Sequence, residues 1–288
     1  MRFKRLVAFA LVSWAINACI CLDALAQTRF ALLVGHNYGG VDEVPLKWAE
    51  ADAARMQAVL SEIGNIHPDR AILLQRPDAQ AVIRAYVSLQ GAILEAKRRG
   101  ESTLFIFYYS GHADEGHLHL ATERVELPAF EKELAGIGAD TVVAILDACR
   151  NDQNPRAVIK GATRAATFEW PLARPDTPRG YVRLSSAARG EVAQESDALQ
   201  GSLFTHHLLS GLRGSADFDA DGVVTLNEVY GYGYRRTLAD SHRDTGGIQH
   251  SELQVALSGR GELSLTYPRR AEAKLAFGAE LSGHLLIV

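Results

Sequence analysis

The sequence predicts an α/β fold in which a mostly parallel sheet carries helices on both faces, and three observations predict it. Two long apolar runs, Thr103-Leu-Phe-Ile-Phe-Tyr-Tyr109 and Thr141-Val-Val-Ala-Ile-Leu146, are rich in β-branched and aromatic residues, as strands buried on both faces are. The interval between them holds one crossover helix, which makes the two strands parallel. Upstream, short apolar strands already alternate with stretches whose apolar residues recur every three or four positions.

Residues 1–26 have the build of a secretory signal: basic Arg2, Lys4 and Arg5, an apolar run over 6–22, then Ala24-Leu-Ala26 as a small-x-small cleavage site. The expectation is export to a periplasmic or extracellular space, with a mature chain from Gln27 that has no membrane span. The apolar run is near the lower limit for crossing a bilayer, so a single membrane anchor is the alternative. Asn17 argues against lipid attachment at Cys19.

Residues 30–34 (Phe-Ala-Leu-Leu-Val) read as the first strand, followed by the Gly-rich turn Gly35-His-Asn-Tyr-Gly-Gly40. Pro45 then introduces Leu46, Ala49, Ala53, Met56, Leu60 and Ile63, one helical face that Gly64 closes. Residues 71–74 form a short strand, and Val82, Tyr86, Leu89, Ile93 and Ala96 a second helical stripe ending in Lys97-Arg-Arg-Gly100. Residues 127–134 are the crossover helix, with Pro128 early, where its missing N–H costs nothing. Residues 151–180 hold four prolines and no sustained period, an exposed loop. Residues 181–186 rejoin the sheet, and 201–212 form a helix capped by serine. The C-terminal residues 261–288 suggest a small β appendage.

Composition narrows the classes. The chain of 288 residues has a net charge of −4. Without residues 1–26, which hold three of its 30 basic and one of its 34 acidic residues, 27 basic stand against 33 acidic residues, a net charge of −6. No basic patch suggests nucleic acid. Residues 27–288 suit one α/β domain of about 27–260 plus the appendage. Cys19 and Cys21 leave with the signal, so the exported chain keeps one thiol, Cys149, and no internal disulfide is available. A lone cysteine in an oxidising compartment is a liability unless it is used.

The two long strands each end in reactive side chains: Ser110-Gly-His112-Ala113-Asp114 after the first, Asp147-Ala-Cys149-Arg150 after the second. Parallel strands bring these ends to one edge, the edge at which open α/β sheets bind ligands. There a neighbouring imidazole can take the proton of a thiol and free the thiolate. His112 and Cys149 therefore read as a hydrolase pair; a buried thiol and a core histidine that never meet is the bland alternative.

Tyr108-Tyr-Ser-Gly-His112 and Leu146-Asp-Ala-Cys149-Arg150 resemble the catalytic histidine and cysteine motifs of caspase-like cysteine peptidases, most of all the bacterial metacaspase-type branch. The resemblance runs from about Phe30 to Leu257 and implies a three-layer α/β/α sandwich. It implies a Cys149/His112 endopeptidase that needs no cofactor for its chemistry. It also implies an oxyanion site from the backbone N–H groups of Cys149 and Ala113, the latter standing where most such relatives have glycine.

Caspases that cut after aspartate carry glutamine two positions before the cysteine and an arginine on the following strand and loop. Asp147 and Glu195 stand near those positions here, so the resemblance implies an acidic pocket and cleavage after Arg or Lys, with a bidentate guanidinium as the natural partner. The alternatives are a turn or cap role for Asp147 and a solvated loop charge for Glu195. His36, after the first strand, points toward the same edge, as a pocket residue or a turn histidine. Basic residues 156, 160, 164, 174 and 179 of the loop suggest self-cleavage.

Asp217-Phe-Asp-Ala-Asp-Gly222-Val-Val-Thr-Leu-Asn-Glu228 matches a calcium loop at each key position. Asp217, Asp219, Asp221 and Glu228 would supply side-chain oxygens and Val223 its backbone carbonyl; an acidic turn and helix cap holding no ion is the alternative. His112, His117 and His119 raise a zinc reading without a matching fourth ligand, against a plain surface strand. A catalytically inactive caspase-like module that binds partners is the rival from another class, and the oligomeric state stays open.

Overall fold

A computed structural model describes residues 27–40, 43–114, 116–120, 123–148, 178–188, 190–242, 247–259 and 261–268. The expected signal, Cys149, the basic loop residues 156–174 and the tail from 269 lie outside the described residues.

Six strands form the main sheet: β1 (Thr28–His36), β2 (Ala71–Gln75), β3 (Thr103–Gly111), β6 (Thr141–Ala148), β7 (Arg179–Ser185) and β11 (Glu252–Ser258), in the order β11-β7-β6-β3-β1-β2. All neighbours are parallel except β11 against β7. The three central strands β1, β3 and β6 are buried almost end to end, which is why their apolar runs are continuous rather than alternating.

The pleat sends alternate side chains of β3 into two cores. Leu104, Ile106 and Tyr108 join Met56, Val59 and Leu60 of α1 (Ala49–Glu62), Phe204 and Leu208 of α4 (Leu203–Ser210), and Val229 of α5 (Leu226–Ser241). Phe105, Phe107 and Tyr109 face Val82, Leu89 and Ile93 of α2 (Ala79–Arg98) and Leu134 of α3 (Leu127–Ala135). This is the three-layer sandwich with a mostly parallel sheet. Asp78 caps α2 by accepting from Ala81 N, and Ser202 caps α4 by accepting from Thr205 N.

Several boundaries depart from the sequence reading. Helix α1 starts at Ala49, not beside Pro45, because Leu46 N is held by Asn37 O and Trp48, at φ −120° and ψ −6°, is the N-cap residue. A hairpin, β4 (His117–Leu120) with β5 (Glu123–Glu126), stands between β3 and α3. Strand β7 opens at Arg179, so Arg179 and Gly180 belong to the sheet and not to the expected loop. The antiparallel β11, rich in polar and exposed residues, carries little apolar signal in sequence.

Short strands tie the rest together: β8 (Glu195–Ser196) with β9 (Gly201–Ser202), and β10 (Val224–Thr225) with β12 (Ser264–Thr266). Leu263 and Leu265 join the main core. Arg29, itself buried, donates to the carbonyls of Gly64, Ser264 and Leu265 and to the Tyr267 hydroxyl, pinning this segment beneath β1.

Candidate active site

The strands β3 and β6 end level with one another: Gly111 and Ala148 are register partners, and each immediately precedes one of the two predicted catalytic residues in the chain. Adjacent strands lie about 4.8 Å apart. His112 is held from its backbone, its carbonyl accepting from the Tyr109 hydroxyl at 2.6 Å and from His119 N at 2.9 Å.

Its ring faces two ways. Nδ1 lies 3.7 Å from Glu43 Oε1, while Nε2 is buried and has no hydrogen-bond partner among the described residues. Burial pulls the His112 imidazole below its ordinary value, opposed by the Glu43 charge and by a hydrogen bond to the Val44 backbone. That keeps the ring neutral at neutral pH, as a base must be.

Ala113 forms an isolated antiparallel bridge with Leu118, flanked by the bonds His119 N to His112 O and Asp114 N to His117 O. It therefore occupies the narrow, non-hydrogen-bonded position of the ladder, and its own N–H is directed away from β4. A backbone donor so placed is what an oxyanion site requires.

Asp147 is buried near the end of β6 and receives the Thr205 hydroxyl at 2.6 Å; Tyr108 OH lies 2.7 Å from the same Thr205 oxygen, so the proton order is Tyr108 to Thr205 to Asp147. Burial raises the Asp147 carboxyl, while hydroxyl bonds from Ser202, Thr205 and Ser186 pull the other way. Asp147 is thus no turn carboxylate. It lines a cavity together with Glu195, Leu46, Ser110, Gly111 and Ser202.

Glu195 is not a solvated loop charge either. Its two oxygens accept from Lys47 N and Trp48 N at 2.9 Å each, at the positive end of α1. The sequence reading missed a third carboxylate. Asp52 of α1 is fully buried, accepts from Ser202 N at 2.9 Å, and keeps Oδ1 without a hydrogen-bond partner among the described residues. Burial, aided by the Asp147 charge, raises it to about 7. The only sequence sign was a charge on the apolar face of α1, adjacent to Ala53 and four before Met56.

The cavity offers about 20 Å³, room for a water and not for a guanidinium, so a basic side chain enters only if the Glu195 segment moves outward. His36 does not line it. It is buried at the end of β1, with Nδ1 accepting from Tyr38 N at 3.1 Å, the turn role.

His119 corrects the picture of a surface strand, since it is buried, with Nδ1 2.8 Å from Glu43 Oε2 and Nε2 3.1 Å from Asp114 Oδ2. Both nitrogens face carboxylates, so neither is turned toward an open metal position. Among the described residues only Asp217, Asp219 and Asp221 bring three ligand-type groups together, their oxygens within 4.8 Å of one another. Gly222 and Ala220 take the positive φ values of a tight loop, and Glu228 closes a capping box with Thr225. Val224 of the loop pairs with Thr266 of β12.

An α/β sandwich carrying a histidine at the C-terminal edge of its sheet, next to a strand that leads into a cysteine, defines a class of thiol-dependent hydrolases. The caspase domain profile matches residues 28–254, and the chain belongs to that family, one of cysteine-type peptidases acting on protein substrates. No curated protein sequence matches the chain. Among solved structures it is similar to caspase-1 from Spodoptera frugiperda, with a TM-score of 0.55 at 11% identity over 86% of this chain and 92% of that one. It is also similar to pro-sf-caspase-1, at 0.53 and 9% over 79% and 91%. Among the described residues no helix is long and apolar enough to cross a membrane.

Proposed function

We propose that the chain is an exported, metacaspase-like cysteine endopeptidase that cuts after Arg or Lys, with Cys149 as nucleophile and His112 as base. What supports this most directly is the register of Gly111 with Ala148, combined with a His112 Nε2 that is buried and unpaired among the described residues. The Cys149 thiol gives its proton to Nε2 and its sulfur attacks the peptide carbonyl. The carbonyl pair moves onto oxygen, where the N–H groups of Ala113 and Cys149 receive it. On collapse the C–N bond breaks and His112 protonates the leaving amine; water, deprotonated by His112, then hydrolyses the thioester.

The preference for a cation is supported by Asp147 and Glu195, which line one cavity without an arginine or lysine among its lining residues, and by Asp52 behind it, which accepts from Ser202 N and has Arg55 Nη1 3.5 Å from Oδ1. Two of these are buried carboxyls pushed up in pKa, and a guanidinium between them relieves both. The Asp217–Glu228 loop is read as a calcium site and the 151–178 segment as a place of self-cleavage.

Fluorogenic peptides with Arg, Lys or Asp before the scissile bond test the reading. Turnover of the basic pair, none of the acidic peptide, and loss of activity and of arginyl-ketone labelling in Cys149→Ala are expected. A wild-type chain that neither turns over nor is labelled, with or without calcium, would assign it instead to the non-catalytic binding modules.

A further inference from the structure

We infer that Glu43 is the positioning residue of His112, a carboxylate bridging the catalytic imidazole and a second, buried histidine, His119. The inference rests on the peptidase reading for its kinetic consequence, although its geometry stands apart from that reading. Glu43 lies in the loop after β1, far from both catalytic motifs in sequence. One oxygen, Oε2, accepts from Gly40 N and meets His119 Nδ1 at 2.8 Å; the other, Oε1, faces His112 Nδ1 at 3.7 Å. Gly39 is wedged against both: a Cβ there would fall on Glu43 Oε2 and lie 2.9 Å from His112 Cδ2. Only glycine admits this approach.

The chain of charges continues beyond His119. Its Nε2 meets Asp114 Oδ2 at 3.1 Å, and the same oxygen accepts from Arg124 at 2.9 Å. Burial pushes the Asp114 carboxyl up, but bonds from His117, Gly116 N and His119 outweigh it and hold the group at about 2. His119 thus has a carboxylate oxygen against each of its ring nitrogens. His112, Glu43, His119, Asp114 and Arg124 then form a row in which nitrogen-bearing side chains alternate with carboxylates.

Such a row does two things for His112. A carboxylate 3.7 Å from Nδ1, beside the bond this ring makes to the Val44 backbone, favours the proton on Nδ1 and leaves the Nε2 lone pair free. When Nε2 takes the Sγ proton and the electron pair stays on sulfur, the ring becomes a cation facing Glu43. His119 sets how much of the Glu43 charge His112 feels, since the two rings share one carboxylate. The other groups facing His112 are Glu195 from β8, His36 from β1 and the Val44 backbone, none of which joins it to a second buried ring.

The test is a titration of His112 by NMR in the full chain, with steady-state kinetics beside it. Glu43→Gln keeps the shape and lowers the pKa of His112 by about one, the lower end of what an opposite charge at this distance supplies. It reduces kcat roughly ten- to a hundredfold with KM unchanged. His119→Gln takes away the ring that shares the Glu43 carboxylate and moves His112 the other way. Loss of packing cannot give opposite signs in the two variants. Should Glu43→Gln not fold, Glu43→Asp, with the charge drawn back by one methylene, gives a smaller downward change. A His112 titration unmoved by these variants, or moved in one direction by both, overturns the inference. If the wild type cleaves no basic peptide, the peptidase reading fails and the NMR titration alone decides the role of Glu43.

Discussion

Replacing Asp52 by Asn should make the protein more stable and less able to hold a basic side chain, and only above a certain pH. The carboxyl rises from its ordinary 3.8 to about 7 because it is buried beside the Asp147 charge, which the Ser202 N–H and Arg55 offset only in part. A raised acid binds its proton more tightly folded than unfolded. Below pH 4 both states are protonated and the group costs nothing. Between 4 and 7 the unfolded chain releases its proton first, so stability falls as pH rises, and above 7 the full penalty stands. The change amounts to about 4 kcal/mol. An amide keeps the Ser202 bond and carries no charge, so Asp52→Asn recovers most of this at pH 8 and little at pH 4. For a domain of this size each kcal/mol moves Tm by roughly 2–4 °C, so recovering about 3 kcal/mol should raise Tm by roughly 6–12 °C at pH 8. Thermal melts of wild type and variant from pH 4 to 8 measure it, and KM for an arginyl peptide in the same buffers should be higher in the variant above pH 7. A Tm difference that does not change with pH would refute the reasoning, because the stabilisation would then come from packing and not from an ionising carboxyl.

Three further outcomes are expected. Arg29→Met leaves four acceptors, the Gly64, Ser264 and Leu265 carbonyls and the Tyr267 hydroxyl, without their buried donor; with about 1–3 kcal/mol for each acceptor left buried, chemical denaturation should show a loss of several kcal/mol. Calcium titrated calorimetrically into the full chain should bind at one site and be lost in Asp217→Asn, while an identical heat trace in that variant would place any ion elsewhere. Intact-mass measurement after incubation should find cleavage after a basic residue of the 151–178 segment in wild type and none in Cys149→Ala; the same mass in both excludes self-processing there.

What the sequence made legible follows from how each signal is carried. The runs around Phe105 and Val143 announce their strands because burial on both faces leaves no polar position to confuse the period, and the motifs ending in His112 and Cys149 sit at the ends of those strands. Asp147 was legible for the same reason, two residues before the cysteine. Asp52 and Glu43 were not. Asp52 sits where any helix tolerates an acid near its first turn, and only the β9 backbone reaching back from Ser202, a lining residue, ties it to the cavity. Glu43 joins His112 across 69 positions and His119 across 76, contacts that no local period encodes. The parts of the site on the sheet were written in strand pattern, whereas those that set its charge come from loops brought over the sheet edge by folding. Removing charge at Asp52 or Glu43 should therefore alter pH dependence and specificity while leaving the sheet, and the family likeness it carries, intact.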